Sequence, residues 1–293
     1  MLVNIFMGNH DALGASTLED QCLAFQGALR ALGYDAFLSC SIVGAPVINL
    51  VFDNFAGDYK PFIDAHLGRA RLGVICTERF AGSVLNLPDF AAQRARNLID
   101  VGRRSAFLWC LDPQAVAPLQ EALPGIPVFY TPVGYVKDLE NVETLEPARK
   151  IWDVCFTGSI TPYRQEVLNA LTAKQLSVIG GSFPPVVRRS VMARSRLQLT
   201  LKQTADNFMP SQMRIAYCLA NGFPVISDFA GVPAETPVEE FCINVGRDEL
   251  ADRCIDLLRN PVALMEVKQR ITRFKASCRM PELIAEVVRK SLG

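Results

Sequence analysis

Short, almost unbroken apolar runs alternate with amphipathic stretches along this chain. The runs are Leu2–Met7, Asp35–Ile42, Val47–Phe52, Leu72–Thr77, Ser105–Leu111 and Val128–Thr131, then Trp152–Thr157, Leu176–Ile179, Leu197–Leu201, Phe223–Ser227 and Cys242–Val245. Runs of this length, rich in Val, Ile and Phe, suit strands buried on both faces. Between them the spacing changes to threes and fours. Leu18, Cys22, Phe25, Leu29 and Leu32 mark one face of a first helix, which Ser16 or Thr17 is placed to cap and Gly33 to stop. Helices are also predicted over 59–68, 90–101, 112–123, 163–173, 186–194, 214–221 and 248–259, with a helical, basic C-terminal stretch after Pro261.

Strand–helix alternation of this kind predicts an α/β architecture with parallel sheets. It occurs twice. The polar stretch Lys137–Lys150 carries no strand signal, and the alternation restarts after it. The expected organisation is a Rossmann-like domain over 1–137, a linker over 138–150 and a second Rossmann-like domain over 151–280. The helix from about Pro281 is expected to pack back on the first domain. A length of 293 residues fits two domains of ordinary size.

Composition narrows the function classes. Lys+Arg and Asp+Glu are equal at 30 each, which argues against a nucleic-acid footprint. Nine cysteines are scattered without a Cys-x-x-Cys and only two histidines are present, so reduced buried thiols are expected rather than a metal site. The N-terminus lacks a basic region before its apolar run, and no apolar run approaches the ~18 residues that span a bilayer. A cytoplasmic protein is expected, with peripheral contact at a membrane left open. No Gly-x-Gly-x-x-Gly follows either opening strand, and neither a Gly-Lys-Ser/Thr loop nor a Gly-x-Ser-x-Gly elbow occurs. Dinucleotide oxidoreductases, P-loop NTPases and serine hydrolases lose support accordingly.

The most informative stretch is RIAYCLANGFPVIS, Arg214–Ser227, a helix ended by Asn221-Gly222 and followed by a short buried strand that emerges at Ser227 and Asp228. That emergence is the edge at which open α/β sheets bind ligands. Together with DVCFTGSITPYRQEVLNAL (Asp153–Leu171), SRLQLTLKQ (Ser195–Gln203) and VGRDELADRCIDLLRNP ending at Pro261, it resembles bacterial GT-B glycosyltransferases of the spore-maturation, CgeB-like type. The resemblance covers roughly Asp153–Pro261. The first half matches as a layout, with VFYTPVGYV similar to the last strand before that family's linker.

The resemblance implies two Rossmann-like domains facing across a cleft. It also implies a glycosyltransferase that moves a sugar from a nucleotide-diphosphate sugar to a glycan, lipid-linked or protein acceptor, with no metal or other cofactor. Donor binding would fall on Gly158, Ser159, Arg164, Lys202, Ser211, Arg214, Tyr217, Ser227 and Asp228. Amides at the Gly158-Ser159 turn would cradle a phosphate, or the glycine simply makes a tight turn. Lys202, at the ligand end of a buried strand, is favoured over Arg164, whose alternative reading is a solvated helix charge. An Arg at position 214, near a helix N-terminus, opposes the dipole. An anionic diphosphate would favour it there, and an ion pair with Asp206 or Asp228 is the alternative. Tyr217 stands where the family motif carries Glu.

For the base, His10 and Asp11 in the loop after the first strand and Glu78 after another are the candidates, and His66 is read as structural. Retention or inversion stays open. A catalytically degenerate binding module and a sugar-nucleotide epimerase are the rival functions.

Overall fold

The computed structural model describes every residue except 9–11, 54, 56–58, 82, 83, 86–90, 207 and 208, and omits the side chains of 12–17, 81, 84 and 85. The chain divides into two compact units, Met1–Val133 with Met280–Gly293, and Gly134–Arg279. The polar segment after Lys137 therefore lies inside the second unit.

In the first unit the order is β1 (Leu2–Phe6), α1 (Ala12–Ala31), β2 (Asp35–Ser39), β3 (Ile48–Phe52), α2 (Tyr59–Asp64) and β4 (Arg71–Cys76). A small antiparallel hairpin of β5 (Phe80–Ala81) and β6 (Val84–Leu85) follows, then α3 (Ala91–Gly102), β7 (Phe107–Cys110), α4 (Val116–Ala122) and β8 (Val128–Tyr130). The main sheet is parallel throughout, in the order β2-β1-β3-β4-β7-β8. All residues of β3 and β7 are buried, which is why these strands read as continuous apolar runs. The polar exceptions are paired. Asn4 and Asn49 are register partners on β1 and β3, and Asn4 Nδ2 donates to Asn49 Oδ1 at 2.8 Å. Asn49 also bonds both backbone groups of Val43 at 2.8 Å.

The first helix departs from its expected start. α1 begins at Ala12, so Ser16 and Thr17 lie inside it rather than capping it. Ala12, Leu13 and Ala15 are strong helix formers that extend the helix by more than a turn. Its end is as expected: Gly33 has φ +86°, and Gly33 N and Tyr34 N donate back to Arg30 O and Leu29 O. These are the two bonds of a Schellman cap.

The second unit runs β9 (Trp152–Thr157), α5 (Pro162–Ala173), β10 (Val178–Gly181), α6 (Pro185–Ala193), β11 (Ser195–Thr200), α7 (Gln212–Ala220), β12 (Val225–Ser227), β13 (Ile243–Asn244), α8 (Leu250–Arg259) and α9 (Pro261–Ser277). Its sheet is also parallel, in the order β10-β9-β11-β12-β13. β10 sits two residues later than the apolar run suggests. After α5 the chain turns through Gln175 at φ +63°, and Leu176 and Ser177 are spent on the return before Val178 pairs with Val154. The helix of the central stretch ends as predicted, with Gly222 at φ +79° and bonds from Gly222 N and Phe223 N to Leu219 O and Cys218 O.

The last helix, α10 (Met280–Leu292), belongs to the first unit, where Ser291 Oγ accepts a bond from Trp109 Nε1 at 3.1 Å. All nine cysteines are free thiols, and only Cys40 is exposed. Among the described residues no helix is long and apolar enough to cross a membrane.

Where the second unit begins, Glu140 accepts bonds from Tyr135 Oη at 2.8 Å, Lys275 Nζ at 2.7 Å and Lys137 Nζ. Burial alone would raise its carboxyl, but these three donors outweigh it and hold the carboxyl down at about 2. A depressed carboxylate adds stability above its unfolded value, and that stability is lost as the pH falls through the folded one. The contribution of Glu140 should therefore persist at neutral pH and vanish between about 4.5 and 2. Replacing Lys275 by Met should raise the Glu140 pKa, read by carboxyl-carbon NMR titration. Gly222→Ala should destabilise the protein by about 1 kcal/mol in denaturant unfolding, because a Cβ there meets nothing within 4 Å and only the left-handed backbone is penalised.

Candidate functional site

In a parallel sheet whose strands run 2-1-3-4-5, ligands bind where the winding direction reverses, beyond the carboxyl ends of strands 1 and 3. In the second unit those strands are β9 and β11. Beyond β9 lie Gly158 and Ser159, and beyond β11 lie Leu201 and Lys202.

Arg164, on the first turn of α5, joins these two ends. Its Nη1 donates to Ser159 O at 2.9 Å, Nη2 to Leu201 O at 2.9 Å and Nε to Lys202 O at 3.0 Å. The residue is 8% exposed, so the solvated helix charge of the sequence reading does not describe it. Carbonyls just past a strand end lack ladder partners, and the fork of a guanidinium can meet several at once. Thr161 caps the same helix, accepting from Arg164 N at 3.3 Å, and its hydroxyl donates to Gln203 O at 2.7 Å.

The second cation is Arg214, on the first turn of α7. Its guanidinium carbon lies 5.3 Å from the ring centroid of Phe156, the penultimate residue of β9, and that of Arg164 lies 5.0 Å from the same ring. Gly158 has φ +155°, and a Cβ there would come within 2.8 Å of Arg214 Nη2. The guanidinium thus lies over the turn, close enough that a Cβ at residue 158 would displace it. Burial, and then the charge of Arg214, push the Arg164 pKa down to about 10, with Asp228 acting the other way. Two guanidinium groups thus share one aromatic ring, with the Asp228 carboxylate acting on Arg164 as well.

Asp228 is 3% exposed and acts as a strut: Oδ1 accepts from Lys202 N at 2.9 Å and Oδ2 from Tyr163 Oη at 2.8 Å. The Lys202 ammonium reaches the face of Phe229, 5.5 Å from its centroid. Ser227 is buried and donates to Asn244 Oδ1 at 2.6 Å, tying β12 to β13. Ser211 holds the N-cap position of α7 without a side-chain capping bond. Tyr217 is 2% exposed; its hydroxyl donates to Asn141 Oδ1 at 2.6 Å, and Arg188 stacks on its ring at 5.1 Å.

The structure therefore gathers Gly158, Ser159, Arg164, Lys202, Arg214 and Asp228 at one sheet end, and turns Ser227 and Tyr217 toward other partners. The sequence reading missed Phe156 and Tyr163. Phe156 looked like one more apolar residue of a buried strand, and only its place as the penultimate residue before a glycine turn distinguishes it.

In the first unit, His10 and Asp11 lie outside the described residues. Glu78 follows β4 at the carboxyl edge of that sheet. Beside it the buried Asp53 accepts from Thr77 N and Oγ1, both at 2.9 Å, and from Glu78 N at 3.4 Å. Burial, with the charge of Asp53 adding to it and Arg94 opposing it, pushes the Glu78 carboxyl up to about 7. His66 Nδ1 lies 2.8 Å from Phe62 O, one helical turn back, a local structural contact.

Removing Arg164 should orphan three carbonyls. Arg164→Ala is expected to cost about 2–4 kcal/mol in denaturant unfolding, and Arg164→Lys to recover less than half of it, since an ammonium lacks the fork. For Glu78 the folded pKa lies above the unfolded one, so its contribution to stability is present below about 4.5 and lost as the pH rises through about 7. Glu78→Gln should therefore flatten the decline in melting temperature between pH 5 and 8.

No family model matches the chain, and no curated protein matches it either. Solved structures do. Anabaena HepE in complex with UDP-glucose aligns with a TM-score of 0.59 at 11% identity, over 99% of this chain and 100% of that one. T4 phage BGT with its UDP-glucose substrate aligns at 0.57 and 14%, over 99% of each chain. TarM of S. aureus aligns at 0.54 and 9% over 94% of this chain, which spans only 57% of TarM. A putative UDP-N-acetylglucosamine 2-epimerase from Listeria monocytogenes aligns at 0.50 and 11%. Identities this low speak to the fold: the chain is built from two Rossmann-like parallel-sheet units, as GT-B glycosyltransferases are.

Proposed function

We propose that this protein is a glycosyltransferase that takes its sugar from a uridine-diphosphate donor held by the second unit. The observation that carries the reading is the Arg214 guanidinium lying over the Gly158 turn at the switch point of that sheet. UDP is the nucleotide to test first, because HepE and T4 phage BGT hold UDP-glucose on the same fold.

Transfer from a nucleotide sugar requires stabilisation of the diphosphate as it leaves. In this reading Arg214 and Lys202 meet its charge, with amides of the Gly158-Ser159 turn adding donors, and no metal is required. Arg164 does not reach for the ligand. It holds the two strand ends at the spacing Arg214 needs. On the acceptor side we assign proton removal to Glu78, whose carboxyl near 7 suits a general base at neutral pH. His10 and Asp11 are its rivals. The acceptor itself we leave as a hydroxyl compound bound by the first unit. Tyr217, where the resembling family carries Glu, favours a second reading, a nucleotide-binding protein without turnover, because its hydroxyl is engaged by Asn141.

Calorimetric titration with UDP, GDP, ADP and dTDP, followed by donor-sugar hydrolysis assays, tests this directly. UDP should bind, and EDTA should change neither binding nor turnover. Arg214→Ala should weaken UDP about 10- to 100-fold, the loss of one or two charge-assisted bonds. Gly158→Ala should weaken it as well by displacing the guanidinium. UDP binding with no turnover on any donor would select the binding-protein reading, and no nucleotide binding would refute both. Glu78→Gln with full turnover would move the base to His10 or Asp11, each then tested as its Ala variant.

A further inference from the structure

α7 does more than present Arg214. Its last turn and the residue after it carry a second set of contacts, to the polar segment between the two β/α halves. Tyr217 Oη donates to Asn141 Oδ1 at 2.6 Å. Asn221, the C-cap of α7, accepts on Oδ1 from Asn141 N at 3.0 Å and Val142 N at 2.9 Å. Its Nδ2 donates to Leu139 O and to Tyr217 O, both at 2.8 Å. Thr144 Oγ1 lies 3.4 Å from Asn221 O. Both residues are buried, Tyr217 at 2% and Asn221 at 7% exposed.

The segment enters from the point where the chain passes between units, at Val133–Gly134, and the return passage is Arg279–Met280. These two passages are themselves bonded: Tyr135 N donates to Cys278 O at 2.7 Å, and Tyr135 bridges to Arg279.

A nine-residue helix is a rigid body on the scale of these contacts. Arg214 and Tyr217 are less than one turn apart on it. Moving the segment away would take the Val142 amide and the carboxamide of the buried Asn221 from their partners across α7 and break the Tyr217–Asn141 bond, which is costly. A shift of α7 would in turn move Arg214 off the Gly158 turn. We propose that Tyr217 and Asn221 are positioning residues that make 139–144 an extension of α7, so that a diphosphate at Arg214 and the order of this segment are coupled. The coupling rests on the donor reading above; the latch itself does not. Tyr217 then serves the segment rather than the donor.

Hydrogen exchange on the full-length protein tests it, with the Asn141 and Val142 amides as reporters, since Asn221 Oδ1 accepts from both; the Asn141 amide also bonds Leu139 O at 2.9 Å, so the Val142 amide is the cleaner of the two. In the ligand-free protein Tyr217→Phe should speed their exchange about three- to tenfold, the worth of one hydrogen bond. Unchanged exchange would overturn the latch. In the wild type, UDP should slow the same amides. By linkage, Tyr217→Phe should weaken UDP by the factor by which that slowing shrinks. UDP binding that leaves these amides unaffected would overturn the coupling. If UDP does not bind the wild type while the Tyr217→Phe effect is present, the latch stands and the donor reading falls, taking the coupling with it. Should Tyr217→Phe not fold, Asn141→Ala removes the same bond from the segment side, with the Val142 amide read in the same way and the same outcomes.

Discussion

The second unit depends on one side chain meeting three backbone carbonyls. Where β9 and β11 end at the switch point, the chain must leave the sheet in two directions, and its carbonyls lose their ladder partners there. Arg164 supplies all three missing donors from within the protein. The same guanidinium lies on one ring with Arg214, and the repulsion between them is the electrostatic cost of building the site. The strand ends are thereby fixed by a cation that a second cation flanks, and the charge of Arg214 helps burial to push the Arg164 pKa down. Asp228 offsets some of that charge from below, yet both its oxygens already hold the Tyr163 hydroxyl and the Lys202 amide.

How much of this is legible in the sequence follows from which interactions are local. Parallel strands covered on both faces are near-continuous apolar runs, so most strands are visible without any long-range knowledge. The Gly33 and Gly222 caps are visible for the same reason: a left-handed residue after a helix is a property of five or six consecutive residues. The start of α1 and the offset of β10 are not visible, because each depends on competition between adjacent signals. A good cap at Ser16 lost to helix formers before it, and the run from Leu176 lost two residues to the turn through Gln175.

The candidate site divides along the same line. The positions of Gly158, Lys202 and Arg214 were legible because each stands at the end of an element. The solvated-charge alternative for Arg164 fails on its burial, which the pattern of α5 could not show, since it places the residue only on the first turn. Whether an arginine there faces water or the carbonyls of two strands is decided by Leu201 and Lys202, more than thirty residues away. Tyr217 and Asn221 were opaque for the same reason, their partners lying in a segment whose sequence carries no periodic signal. Both cases involve side chains bonding to irregular backbone, an interaction with no sequence period.

The two units carry one sheet plan and a different balance of charge at its carboxyl edge. Setting the small hairpin aside, both sheets begin 2-1-3-4-5. In the second, the groups at that edge include two guanidiniums and an ammonium beside the single carboxylate of Asp228. In the first, among the described residues, they include the carboxyls of Asp53, Glu78 and Asp112, of which Asp112 is paired with Arg79 at 2.6 Å. A fold that offers the same crevice twice can bind an anion in one and hold a proton acceptor in the other only if the charges differ, since a carboxyl raised to about 7 requires burial without a dominant cation. Arg94 acts on Glu78 too weakly to reverse the effect of burial and Asp53. The unlike edges argue for two differentiated halves rather than one duplicated unit.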